Sequence, residues 1–374
     1  MRARPVVAHH PSAACRSSAL GLLALGLSAT GCFETGYLLQ AGEGQLDLLC
    51  NARPISHVLE DPDTPPDVLA ELSEVPRIKA FGKRFGLVPT KSYESYVELD
   101  RPVAVWVVSA APKLSFESKT WTFPIVGSVP YLGWFDKGRA TEHAQSLKAE
   151  GWDVDLRGAA AYSTLGFFHD PVLSSMLGDA ADGYGDFADT ILHESLHATV
   201  YVNGQTSFNE GLATFVGEHL AKKYLAERYG EESSELRTFI DEERQGVARS
   251  ARLRKAFLEL DALYKSKRSD EEKLAEKGYI IASLRAELHM KKSVTNATLA
   301  GFRAYHGTSN GFEQLYVRCG EDVARMVEAA KLVKPTDFEE PQSKEFDDVL
   351  LKAATAGCGE APKPAPEDVD AEGG

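Results

Sequence analysis

One pentapeptide constrains this chain more than any other feature. His193-Glu194-Ser195-Leu196-His197 reads HExxH. On a helix the two histidines stand one turn apart on one face, so both imidazoles reach a single ion. A zinc ion would sit about 2.0–2.1 Å from each nitrogen. Glu194, next to the first ligand, then reaches a water activated by the ion and takes its proton. The spacing works only on a helix, and the flanking residues predict one. Asp186 is the expected N-cap, and Phe187, Ile191, Leu192, Leu196 and Val200 form an apolar stripe beside the histidines. Asn203-Gly204 is the expected end.

Catalytic zinc takes three protein ligands and leaves one position open. The chain restarts at Ser207-Phe208-Asn209-Glu210, where Ser207 and Glu210 have the spacing of a capping box. Phe208, Leu212, Phe215, Val216 and Leu220 recur at helical spacing. A short turn would return this second helix antiparallel to the first and bring Glu210 back to the histidines as the third ligand. The plainer role for Glu210 is capping alone. Glu218 reads as a solvated or supporting carboxylate. Tyr201, four residues beyond His197, is expected on the same face, either donating to a developing oxyanion or simply packing.

This stretch resembles the bacterial putative zinc-dependent aminopeptidase family, a group of predicted lipoproteins. The resemblance runs from Gly36-Tyr37-Leu38-Leu39-Gln40 through Arg53-Pro54-Ile55, Arg101-Pro102-Val103, Thr120-Trp121-Thr122-Phe123-Pro124 and Ala161-Tyr162-Ser163-Thr164-Leu165-Gly166 to Asn296-Ala297 and Tyr305. It implies a thermolysin-like, zincin-like metallopeptidase of the α+β class, mostly helical, with a small β-sheet ahead of the HExxH helix. In such folds an edge strand pairs with substrate backbone, and the resemblance puts it within Trp121 to Val129. It also brings Asn296 and Tyr305 towards the active site. Where the family often carries a cysteine pair, this chain has Thr122 and Ser128, so no disulfide forms there. The Gly-x-Met-Glu-Asn signature with which one large aminopeptidase family holds a free amine is absent.

The ends of the chain speak to location. Arg2, Arg4 and Arg16 precede an apolar run from Ala19 to Ala29 that is too short to span a bilayer comfortably. It closes on Ala29-Thr30-Gly31-Cys32, which resembles a lipobox, with lipidation expected on Cys32. Residues 1–31 then form a lipoprotein signal peptide, 32–335 the metallopeptidase domain, and 336–374 an acidic, disordered tail. The expected place is the periplasmic face of a bacterial membrane. Phe33 rather than Asp after the cysteine favours the outer one. Cys50, Cys319 and Cys358 remain after processing, and Cys319 with Cys358 is the easiest pair to draw. No CxxC exists, so a thiolate zinc site is excluded.

Between these ends the pattern alternates in kind. Helices are expected over Tyr37 to Cys50 and Val68 to Phe85, the latter broken at Pro76. Val103 to Val108 is an apolar run suited to a buried strand, with neighbours at Lys113 to Glu117, Trp121 to Val126 and Trp152 to Leu156, and a helix over Lys137 to Glu150. Tyr162, His169 and Asp170 lie in a loop-rich passage and are candidates to face the cleft. Beyond Gly230, Leu236, Phe239, Leu253, Leu260, Leu274, Ile281 and Leu288 predict two long antiparallel helices. The net charge of -14 and the lack of a basic stripe exclude a nucleic-acid partner. The composite expectation is a zinc peptidase, in the aminopeptidase sense of the resemblance, acting on a peptide substrate. Its rivals are a non-catalytic, zinc-containing binding or scaffold lipoprotein, and a hydrolase of cell-wall peptide crosslinks using the same site.

Overall fold

A computed structural model describes residues 32–88, 91–123, 127–162, 169–178, 183–306, 309–341, 343 and 345–359. The signal segment 1–31, the last residues of the tail and the side chains of Cys32 and Tyr305 lie outside the described residues. The described chain is mostly helical with small sheets, an α+β arrangement. None of its helices is long and apolar enough to cross a membrane.

The N-terminal half is a helix-flanked β layer. Helix α1 (Cys32–Asn51) leads through the short strand β1 (Arg53–Pro54) into α2 (Ile55–Glu60) and α3 (Pro66–Arg84). Helix α3 begins with Pro66 at its first position, where no N–H is needed. Pro76 does not break it as expected. The carbonyl it strands is outweighed by Leu72, Val75, Ile78 and Phe81, which are buried on either side of it. Strands β2 (Ser95–Val97), β3 (Val105–Ala111), β4 (Trp121–Phe123), β5 (Gly127–Val129) and β6 (Leu132–Trp134) follow, then α4 (Lys137–Ala149), β7 (Asp153–Ala159) and β8 (Val172–Leu173). The strand expected over Lys113 to Glu117 does not form.

Three small sheets result. β3 lies between antiparallel β6 and β7, β2 lies between β1 and β8, and β4 pairs with β5 alone. The alternation of Val108, Ala110, Leu132, Trp134 and Val154 turns one face of the middle sheet onto Ala140, Ala144 and Leu147 of α4. Helix α1 docks on the same cluster. Phe33 stacks on His143, and Tyr37 packs edge-on against Trp134. Gln40 donates to the Gly133 carbonyl and accepts from the Phe135 N–H. In the β4–β5 hairpin Thr122 and Ser128 stand directly opposite, their hydroxyls 2.7 Å apart, so a hydrogen bond spans the position of the absent cysteine pair.

The C-terminal half is helical. It comprises α5 (Tyr184–His197), α6 (Thr206–Tyr229), α7 (Ser234–Lys265), α8 (Asp270–Glu287), α9 (Asn296–His306), α10 (Ser309–Arg318), α11 (Val323–Ala330) and α12 (Asp347–Cys358). The main core gathers α3, α5, α6, α10, α11 and α12, with Phe187, Ile191, Phe208, Leu212, Val216, Met326 and Phe346 fully or almost fully buried. Glu74 fastens α3 to α6. Its buried carboxylate accepts from the Tyr224 hydroxyl at 2.5 Å and from Arg228 at 3.0 and 3.2 Å.

The expectation of a disordered tail over 336–374 fails for 347–358. Val349, Leu350, Ala353 and Ala354 give α12 an apolar face, which packs on α10 and α11, and Cys358 is bonded to Cys319. The Asp and Glu content around these residues hid the face from composition.

Candidate metal centre

Helices α5 and α6 carry the site, and each is placed by the core rather than by its own ends. Helix α5 starts at Tyr184, before Asp186, and no side chain caps it. Helix α6 starts at Thr206 with Gln205 at its N-cap, so neither Ser207 nor Glu210 serves as the expected cap. Glu210 is therefore released from capping and faces the histidines.

The connection over 198–205 is held by polar side chains that pattern reasoning overlooked. Asn209, almost fully buried, donates to the Val202 carbonyl and accepts from the Val202 N–H, both at 2.8 Å. This double bond fixes the turn to the helix one residue before Glu210. Gln205, also buried, accepts from the Ser343 N–H at 3.0 Å and donates to the Glu340 carbonyl at 2.8 Å, which ties the segment after α11 across the turn. Thr199 accepts from the Val88 N–H at 2.8 Å. Gly204 takes φ +77°, open only at small cost to glycine. The only forward signal for the clamp was an Asn directly before the candidate ligand.

Gly217 lets the two helices approach. A Cβ there would lie 2.4 Å from Asp189 Oδ1 and 3.3 Å from His193 Cβ. With this close approach, His193 Nε2 and His197 Nε2 stand 3.2 Å apart. Glu210 Oε2 is 3.6 Å from the first and Oε1 is 3.6 Å from the second. The distance between the two Nε2 atoms is close to one edge of a tetrahedral ion, and Glu210 turns one oxygen to each histidine. With bonds of about 2.0–2.1 Å, the edge between two ligand atoms is about 3.3 Å. Two imidazoles and one carboxylate, all partly buried, are also the donor set that zinc takes. The residues fit the ion.

Electrostatics bind the three together. Burial pushes the Glu210 carboxyl up, but the hydrogen bonds and charges of His193 and His197 outweigh it and hold it at about 2. Burial pulls the His193 imidazole down, but Glu210, Glu194 and Asp189 together leave it raised. Burial lifts Asp189 to about 7, with Glu218, Asp186 and Glu243 adding to the effect and His193 opposing it. Glu218 is raised by its own burial and by Glu243.

The other predicted residues divide. Helix α5 ends at His197, so Tyr201 does not share the histidine face through a continued helix, and it is 53% exposed. Tyr162 packs edge-on against Phe135, and His169 is exposed. Asp170 is buried and accepts from the Tyr93 N–H through its carbonyl.

Asn296 works elsewhere. Fully buried, it donates to the carbonyls of Pro112, Lys113 and Ser115 and accepts from the Tyr264 hydroxyl. It is a clamp between α7, α9 and the β layer. The residue missed altogether is Tyr93. Its φ of +63° is rare for an aromatic side chain, and its ring is buried. Burial pushes its phenol up, and the nearby carboxylates of Glu194 and Asp170 add to that.

Comparison with known proteins gives one finding of substance. No curated protein and no solved structure matches the chain. A family model described as "Putative aminopeptidase" matches residues 36–344, from the first turns of α1 across the site to the segment that crosses its turn. That span covers most of the molecule, and the chain belongs to this putative aminopeptidase family.

Proposed function

We propose that the chain is a zinc-dependent peptidase of zincin-like architecture, with His193, His197 and Glu210 as the metal ligands and Glu194 as the general base. The observation that carries this reading is the cluster of two histidine Nε2 atoms 3.2 Å apart, each 3.6 Å from one of the two Glu210 oxygens, beside an intact Glu194. When bound, zinc supplies a Lewis acid that acidifies a water and polarises the scissile carbonyl. Glu194 adds no ligand to this set. Its carboxylate takes the proton of the attacking water and delivers it to the leaving amine. A tyrosine hydroxyl serves the developing oxyanion. Tyr201, on the turn that follows His197 and 53% exposed, is the candidate for this. The substrate is a peptide, and the family description favours removal of N-terminal residues.

Glu194→Gln tests the reading. The swap is nearly isosteric, so fold and zinc content should stay. Peptide hydrolysis should fall by about 10²–10⁴-fold or more. An unchanged rate would place the chemistry elsewhere, and a wild type inactive on a broad peptide library would favour the scaffold reading. Free-amine and N-acetylated forms of the same peptides, run together, separate aminopeptidase from endopeptidase action.

For location, we propose lipidation at Cys32. The support is the lipobox-like Ala29-Thr30-Gly31-Cys32 and the docking of α1 from its first turn through Phe33 and Tyr37. Such an anchor would hold the domain close to the periplasmic face of the membrane. Cys32→Ser should move the protein out of the membrane fraction or leave it unprocessed. A wild type found wholly soluble overturns the anchor.

A further inference from the structure

Helix α1 is apolar on its outer side as well as its inner one. The inner side docks on the β layer through Tyr37, Leu38 and Leu48. Gly44 serves the same docking, since a Cβ there would run into the Phe135 ring. The α1 residues that stay exposed are Phe33, Gly36, Leu39, Glu43 and Leu49, and of these only Glu43 is charged. Leu39 is 40% and Leu49 37% exposed. Leu39, Glu43, Leu46 and Leu49 follow one another at intervals of four, three and three, which places them on one side of a helix. Asp47, at the edge of that side, is half-buried and accepts from Asn51. The helix contains no Lys or Arg.

A helix side that faces water usually carries charges. Helix α7 follows that rule, with Arg237, Asp241, Arg244, Arg252 and Lys255 all exposed. The outer side of α1 departs from it, as a row of leucines rather than a single exposed one. Where α1 begins decides what covers that side. It starts at Cys32, the last residue of the lipobox-like Ala29-Thr30-Gly31-Cys32. No linker separates this residue from the folded domain, because Phe33 already stacks on His143 and Tyr37 packs on Trp134. An acyl chain on residue 32 therefore holds the start of α1 at the lipid surface. A helix of this length, about 30 Å, can then stand upright or lie flat. Lying flat takes Leu39, Leu46 and Leu49 out of water, and standing upright does not.

We infer that the outer side of α1 is a membrane contact: the helix lies flat on the lipid surface, with Leu39, Leu46 and Leu49 in the boundary between headgroups and acyl chains. The inference rests on the lipidation reading at Cys32. It adds a second hold on the membrane and a fixed orientation of the domain. A second hold matters because one acyl chain alone binds only marginally. Without a cation on α1, the contact is with the acyl boundary and not with anionic headgroups.

Hydroxyl-radical footprinting tests this. Lipidated wild type on phosphatidylcholine vesicles is compared with the whole mature chain carrying Cys32→Ser in solution. Oxidation is read residue by residue by mass spectrometry, and the intact mass shows whether Cys32 carries lipid. On vesicles Leu39 and Leu49 should lose reactivity by about threefold or more, because the lipid boundary shields them. Tyr279, 75% exposed on α8, should keep its reactivity. If Cys32 carries lipid and the two leucines react as they do in solution, the inference is overturned and the anchor stands. Protection that covers Tyr279 equally also overturns it, as adsorption without a preferred side. So does protection already present in the Cys32→Ser protein and rising with its concentration, which would put a second copy on that side. If wild type carries no lipid and stays off the vesicles, the anchor reading falls and this inference with it.

Discussion

The α5–α6 pair and the α7–α8 pair are both antiparallel helices on short connections, yet they are stabilised in opposite ways. In α5–α6 the apolar residues Phe187, Ile191, Leu192, Leu196, Phe208, Leu212, Val216 and Leu220 are buried, and neither helix has a side-chain N-cap. In α7–α8 the seam is narrow, formed by Leu253, Ala256, Leu260, Leu263 and Leu284. The outer faces carry Arg252 with Glu287 and Lys265 with Asp261, and Tyr279 is 75% exposed. Both helices there are capped, α7 by Ser233 and α8 by a capping box of Ser269 and Glu272.

The candidate metal centre sits in the pair fixed from outside. A polar cluster of two histidines and several carboxylates adds little to helix stability, and a narrow, water-facing seam would not hold it to a fraction of an ångström. Packing on many sides does, and it frees Glu210 from capping so that it faces the ion position.

One buried asparagine fixes the α5–α6 turn and another fastens α7 to α9 and the β layer, and removing each gives the largest expected contrast. Asn209→Ala strands the Val202 N–H, at about 1–3 kcal/mol, and leaves the Val202 carbonyl with the Gln205 N–H alone. It should also weaken Zn²⁺ binding, because the turn ahead of Glu210 loosens. Asn296→Ala, which strands the Tyr264 hydroxyl and the Ser115 carbonyl while the carbonyls of Pro112 and Lys113 keep the Ser115 N–H and Lys277 as donors, should cost a similar amount of stability with Zn²⁺ affinity unchanged. Denaturant unfolding beside chelator competition reads both. Equal loss of affinity in the two variants would erase the distinction between the pairs.

Glycines sharpen it further. Gly217→Ala forces a Cβ against Asp189 and His193 and should destabilise by about 1–3 kcal/mol. Gly278→Ala in α8 meets open space and should stabilise by about 0.5–1 kcal/mol. Thermal midpoints moving in the same direction would contradict the packing described. The smallest effect belongs to a cap. Ser269→Ala should cost about 1 kcal/mol, read as faster amide exchange in the first turn of α8 with no change at the metal centre.

Legibility follows the same division. The i, i+4 histidines, the return of a second helix with Glu210, and the long α7–α8 hairpin all come from short-range periodicity, which a single sequence displays. The caps proposed at Asp186 and Ser207 came from equally local rules, but those rules lost to tertiary packing. Tyr93 and Asn209 were invisible because their roles depend on partners brought in by the fold: Glu194, far along the chain, for Tyr93, and the path of the turn for Asn209. Asn296 was visible through the resemblance but its partners were not, since a family likeness marks a position without saying what it touches.

The amino-acid sequence by itself determined the spacing of the three candidate ligands, the helical and strand periods and the family; it offered Cys319 with Cys358 as a pair, which the structure bonds. Each is a matter of residue type and order. Only the tertiary structure decided that Gly217 closes α6 onto Asp189 and His193, that Gln205 ties the segment after α11 across the site's turn, and that 347–358 fold back as α12. Those features depend on distances between segments remote in sequence, and such distances exist only once the core has formed and excluded water from between them.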